Sequence, residues 1–114
     1  MPTILKFEEL EIWMQARVLS LKIFHFTQKE SFAKEYKLKE QIKSSAGSVM
    51  DNIAEGFERA SRLEFVNFLS IAKGSCGEVK SQLCRVLDQN SLLSQNLTRY
   101  ILNTKDCLPV SRPL

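Results

Sequence analysis

The feature that most constrains this chain is a run of residues spaced alternately by four and three: Phe65, Leu69, Ala72, Cys76, Val79, Leu83 and Val86. An average period near 3.5 places all seven on one stripe of a long helix, and a strand, which repeats every two residues, cannot use it. So long an apolar stripe must be covered by other helices, which makes the chain all-α. Ser61, with Glu64 three residues on, is a capping box, and the helix it starts should run to about Gln89.

The same spacing recurs along the chain. A first helix is expected from about Phe7 to Gln28, with Ile12, Ala16, Leu19, Ile23 and Phe26 as its core stripe. Leu10, Met14, Val18 and Leu21 add a second stripe, so this helix should touch more than one neighbour. Lys29 to Lys37 reads as a connection whose Phe32 and Tyr36 close the end of a bundle. A second helix, from near Lys39 to Glu58 or Arg59, carries Ile42, Ala46, Val49 and Ile53 at its core. Its Ser44 to Ser48 stretch is all small residues, which lets another helix approach closely. After a break at Asn90 and Ser91, a short fourth helix is expected from about Leu92 to Lys105, with Leu93, Leu97, Tyr100 and Ile101 apolar. Pro109 and Pro113 end regular structure and leave a loose tail over about 106–114. The expectation is one domain over 1–114, an antiparallel up-down-up-down four-helix bundle with a short fourth helix.

Composition excludes more than it identifies. Of 114 residues, 44% are hydrophobic and 25% charged, with 4 Gly and 3 Pro, which is incompatible with disorder or low complexity. The net charge of +3 is mild, and no polybasic run concentrates it, although the excess lies after Phe57. No secretory signal or membrane-length apolar segment is present, so the cytoplasm is the expected compartment. Three cysteines without a CxxC spacing and the single His25 argue against a metal site, and Cys76, on the apolar stripe, is expected as a core thiol. No phosphate-binding loop, nucleophile elbow or zinc-protease motif occurs, so neither catalytic residues nor a cofactor is expected, and the chain reads as a non-enzyme. His25 reads as a helix-terminal histidine rather than a catalytic one.

The polar residues are also ordered. On the second helix Gln41, Ser45, Ser48, Asn52, Glu55 and Arg59 follow the 4-3 spacing beside the apolar stripe. On the third, Glu64, Phe68, Ile71, Ser75, Glu78 and Gln82 do so on the same rotational side. In an antiparallel pair these edges either meet along the seam or both turn away from it. If they meet, Asn52, Glu55, Ser75, Glu78 and Gln82 can satisfy one another, as buried polar groups require. The alternatives are a network fixing helix register or a subunit interface, a solvated flank, and a ligand site. The opposite edges hold Lys39, Lys43, Lys73 and Lys80, which could touch phosphates or simply be solvated.

Three segments carry a resemblance. They are Leu38-Lys39-Glu40-Gln41-Ile42, Ser48-Val49-Met50-Asp51-Asn52-Ile53-Ala54-Glu55-Gly56, and Glu64 to Ser75 followed by Glu78. With Phe7, Leu10 and Trp13 they resemble a bacterial four-helix-bundle family first noticed as reading frames within 23S ribosomal RNA intervening sequences. The resemblance covers roughly Phe7 to Leu93, and Lys105 to Leu114 adds nothing to it. It implies a ring-shaped homopentamer without enzymatic activity. It also implies likeness to accessory bundle proteins of diversity-generating retroelements, which bind nucleic acid and a reverse transcriptase through a positive surface. The family's polar positions fall on Gln41, Asn52, Glu55, Ser75 and Glu78, favouring the register or interface reading. Where the family commonly has an arginine, this chain has Lys43 and then Ser44.

Two functions follow as expectations. One is an oligomeric accessory protein binding RNA or DNA, with Lys39, Lys43, Lys73 and Lys80, joined by Arg59 and Arg62 at the helix junction, facing phosphates. The other is a protein-binding or scaffolding bundle without nucleic-acid affinity. Neither involves a membrane or a metal.

Overall fold

A computed structural model describes residues 4–29, 36–59 and 61–89. Among them are a short 3-10 turn, Phe7–Glu9, and three α-helices: α1 (Glu11–Thr27), α2 (Tyr36–Glu58) and α3 (Arg62–Gln89). No strand occurs among the described residues. The expected fourth helix, Leu92 to Lys105, and the tail beyond it lie outside the described residues.

Two boundaries differ from expectation. The first helix does not start at Phe7, because Leu10 is extended (φ −72°, ψ 127°) and separates the 3-10 turn from α1. Phe7 instead folds back edge-on against Trp13, with ring centroids 5.2 Å apart. At the other boundary, α2 begins at Tyr36, inside the expected connection. Tyr36 is 71% exposed and closes no end of the bundle; Phe32 lies outside the described residues. The α3 start is as the sequence suggests: the Glu64 backbone N–H donates to Ser61 Oγ at 3.1 Å, satisfying one of the donors a helix start leaves open. The return bond from the Glu64 carboxylate is not made.

The core stripes meet in two clusters. Leu19, Ile23 and Phe26 of α1 pack with Leu38, Ile42 and Ala46 of α2 and with Val79, Leu83 and Val86 of α3. Beyond them Ala16, Val49, Ile53, Ala72 and Cys76 form the second cluster, flanked by Leu10, Ile12, Trp13, Met50 and Leu69. The order of these residues makes α1, α2 and α3 antiparallel in succession, with α2 central. Cys76 is buried as expected, at 4% exposure, but it is disulfide-bonded rather than a thiol.

One expectation about helix faces is corrected. Of the second α1 stripe, Leu10 packs against the second cluster, but Met14, Val18 and Leu21 are not covered, at 44%, 52% and 56% exposure. The Ser44–Ser48 run does meet another helix, through Ser48 against Ser75 of α3, although a Cβ on Gly47 would meet nothing within 4 Å. A further close approach is at Gly56, where a Cβ would stand 2.6 Å from Phe68 Cβ and 3.1 Å from the Phe65 ring. Only a residue without a side chain fits there.

Candidate functional site: the α2–α3 seam and the flanks around it

The two polar stripes meet. Ser75 Oγ on α3 donates to Ser48 Oγ on α2 at 3.0 Å. The Asn52 amide donates to the same Oγ at 2.9 Å and to the Ser48 carbonyl at 2.8 Å. Toward the open end of the pair, Arg85 Nη1 donates to Gln41 Oε1 at 3.2 Å. Small hydroxyl residues let the helices come close at this level, and the side-chain bonds fix the register.

The seam is a series of separate contacts, not one continuous network. Glu55 turns to Arg59 on its own helix, 2.8 Å away, and Arg59 also lies over the Phe68 ring at 5.1 Å. Glu78 makes no hydrogen bond or ion pair with any described residue. Between the Ser48–Ser75 and Gln41–Arg85 contacts an open cleft of about 400 Å³ is lined by Glu40, Gln41, Ser44, Ser45, Glu78 and Gln82. Arg85 was not singled out in the sequence, yet one more step of three past Gln82 reaches it. Glu40 and Ser44 sit off the stripe, on the outer lip of the cleft, and no periodic signal marks them.

Meeting stripes decide where the lysines go. At about 100° per residue, Lys39 and Lys43 stand roughly 160° round α2 from the seam, and Arg62, Lys73 and Lys80 roughly 160–180° round α3. The four lysines therefore do not share an edge, because each pair faces away from the other helix. Their surroundings differ too. Lys43 pairs with Glu40 at 3.2 Å, and Lys39 Nζ lies 5.9 Å from the Tyr36 ring centroid. Arg62, Lys73 and Lys80 are exposed and make no ion pair with any described residue. Among the described residues, no group of three His, Cys, Asp or Glu side chains could hold a metal ion. No described helix is long and apolar enough to cross a membrane.

A family model described as 23S rRNA-intervening sequence protein matches residues 8–109. The chain belongs to that family. The match runs past Leu93 and into the segment from Lys105 in which the sequence motifs showed no likeness. Within the chain, the motif residues Asn52 and Ser75 lie at the hydrogen-bonded centre of the seam, while Gln41 and Glu78 border the cleft. A comparison with curated proteins finds no match.

Proposed function

We propose that this chain is a non-enzymatic, self-associating helical bundle that binds nucleic acid through the outer flank of α3. The observation that carries the reading is the placement of Arg62, Lys73 and Lys80 on that flank, exposed and without an ion-pair partner. They span about 27 Å of helix at 1.5 Å per residue, enough to follow several phosphates. The three other cationic candidates support it less: Lys43 and Arg59 are paired with carboxylates, and Lys39 stands over an aromatic ring. Assembly multiplies so weak a field. The +3 of one chain becomes about +15 in the homopentamer that the family resemblance implies.

Filter binding of structured RNA and duplex DNA across a salt series tests this reading. Affinity is expected to fall as salt rises. Replacing Arg62, Lys73 and Lys80 together by alanine should flatten the log–log slope by about 2–3, while replacing Lys39 and Lys43 should leave most of it. A slope that responds equally to substitution of either flank, or no binding at low salt, would refute it.

A protein-scaffolding reading is favoured by a different observation, the exposed Met14, Val18 and Leu21 stripe on α1. Such a face is a contact surface for another chain or copy. Val18→Glu should then lower the sedimentation coefficient toward that of a monomer without changing helicity. A wild-type protein already monomeric at micromolar concentration would exclude self-association through α1.

A further inference from the structure

Helix α3 carries a stripe that neither the core nor the seam uses. Ser70, Gly74, Gly77 and Ser81 follow the 4-3-4 spacing and are all exposed. At about 100° per residue they fall within about 60° of one another and face roughly 150° away from the core stripe. A Cβ on Gly74 or Gly77 would meet nothing within 4 Å, so no described residue calls for a glycine at either position. Glycine weakens an exposed helix. What these small residues leave is a shallow groove along α3, into which the side chains of another helix can settle.

Helix α1 supplies the opposite relief. Met14, Val18 and Leu21, 44%, 52% and 56% exposed, form a ridge at the same spacing, also roughly 150° from their own core stripe. Ridge and groove both turn away from the shared core, so they cannot meet within one chain. Charge decides how they would meet between two. With Val18 level with the gap between Gly77 and Ser81, a parallel pairing brings Arg17 beside Glu78 on one rim and Glu11 beside Lys73 on the other. An antiparallel pairing would instead set Arg17 on the rim of Lys73 and Lys80, and Glu11 on that of Glu78. Arg17, Lys73 and Glu78 are exposed and make no ion pair with any described residue. Parallel pairing is also what copies arranged about one common axis require, because α1 and α3 run in the same direction within each chain.

We propose that the α1 ridge of one copy seats in the α3 groove of the next, in parallel, with Arg17–Glu78 and Glu11–Lys73 as rim ion pairs. This rests on the self-association inferred above and names the two surfaces that carry it. Each copy gives one face and receives the other, a heterologous contact that builds a ring when its rotation closes. Arg62 and Lys80 stay outside the rim pairs and remain open to phosphates.

Disulfide cross-linking of the full chain in a Cys84→Ser background tests the contact. Val18→Cys and Ser81→Cys on the same chain should oxidise under copper–phenanthroline to a ladder of covalent oligomers. Either substitution alone should leave single chains on a non-reducing gel. Sedimentation velocity gives the second readout. Arg17→Glu or Glu78→Arg alone should weaken association by about fivefold, the scale of one exposed ion pair, and the two together should restore it. A wild type that stays monomeric at micromolar concentration overturns the contact and the self-association beneath it. Wild-type oligomers without a ladder from the double-cysteine variant overturn the contact alone, and assign the ridge to another occupant, such as residues 92–105 of the same chain. Dimers from Val18→Cys alone, which mean a two-fold α1–α1 pairing, overturn it too. So does a double charge reversal that associates no better than its single parents.

Discussion

Ile42→Ala is expected to lower the unfolding free energy by about 2–5 kcal/mol, the range for deleting a large aliphatic side chain from a closed core. Ile42 is 0% exposed and belongs to the cluster to which α1, α2 and α3 each contribute three residues. A cavity there removes contacts on two interfaces at once, and no flexible surface side chain is at hand to fill it. A domain of this size has only about 5–15 kcal/mol to lose. Urea unfolding followed by circular dichroism should show an earlier midpoint with an unchanged slope. Leu21→Ala provides the contrast: the side chain is 56% exposed, and its removal should shift stability by about 0.5 kcal/mol or less. Equal losses at the two positions would mean that the α1 outer stripe is buried in solution by another surface.

The second large effect concerns the sign of a glycine substitution. Gly56→Ala and Gly47→Ala replace the same residue in the same helix, and each gains about 1 kcal/mol of helix propensity. At Gly47 nothing lies within 4 Å of the added methyl, so the gain should appear as a stabilisation of about 0.5–1 kcal/mol. At Gly56 the methyl would sit 2.6 Å from Phe68 Cβ. A Cβ cannot swing aside as the tip of a long side chain can, so α2 and α3 must separate locally. Overpacking of this kind costs about 1–3 kcal/mol and outweighs the propensity gain. Thermal unfolding of both variants, side by side, decides the matter. A Gly56→Ala protein as stable as Gly47→Ala would show that the helices do not approach so closely near the turn.

Both results concern residues whose legibility in the sequence differs. Ile42 was evident from spacing alone, because a fully buried stripe repeats without exception from Ile42 to Ile53. The α3 start was evident from Ser61, since capping is a local interaction that needs no knowledge of neighbours. Gly56 was part of a recognised motif, but nothing local distinguishes it from Gly47. The difference lies in Phe68, twelve residues away on another helix. The break at Leu10 was hidden for a similar reason: its apolar side chain fits the period, and the extended backbone there goes with a contact between Phe7 and Trp13 that spacing does not reveal. Angular spacing placed the polar stripes on matching sides of two helices but could not say whether they meet. That depends on which side of α2 is taken by α3, and the Ser48–Ser75 bond supplies the answer. Once it is known, the apparent edge of four lysines divides into two. The cleft was less legible still, because two of its six lining residues, Glu40 and Ser44, lie off the stripe.

The order of contacts along the seam also bears on how the pair can close. Gly56 meets Phe68, Ser48 meets Ser75, and Gln41 meets Arg85, with sequence separations of 12, 27 and 44 residues respectively. Closing the widest loop first would demand the largest loss of chain entropy before any neighbouring contact could repay it. Taken from the turn outward, each rung instead enlarges a loop that the previous rung has already shortened. The seam is therefore laid out like a zipper whose tab is the junction of α2 and α3, a local topology of the kind that folds fast. The glycine beside that tab governs the first tooth, and the arginine at the far end fastens the last.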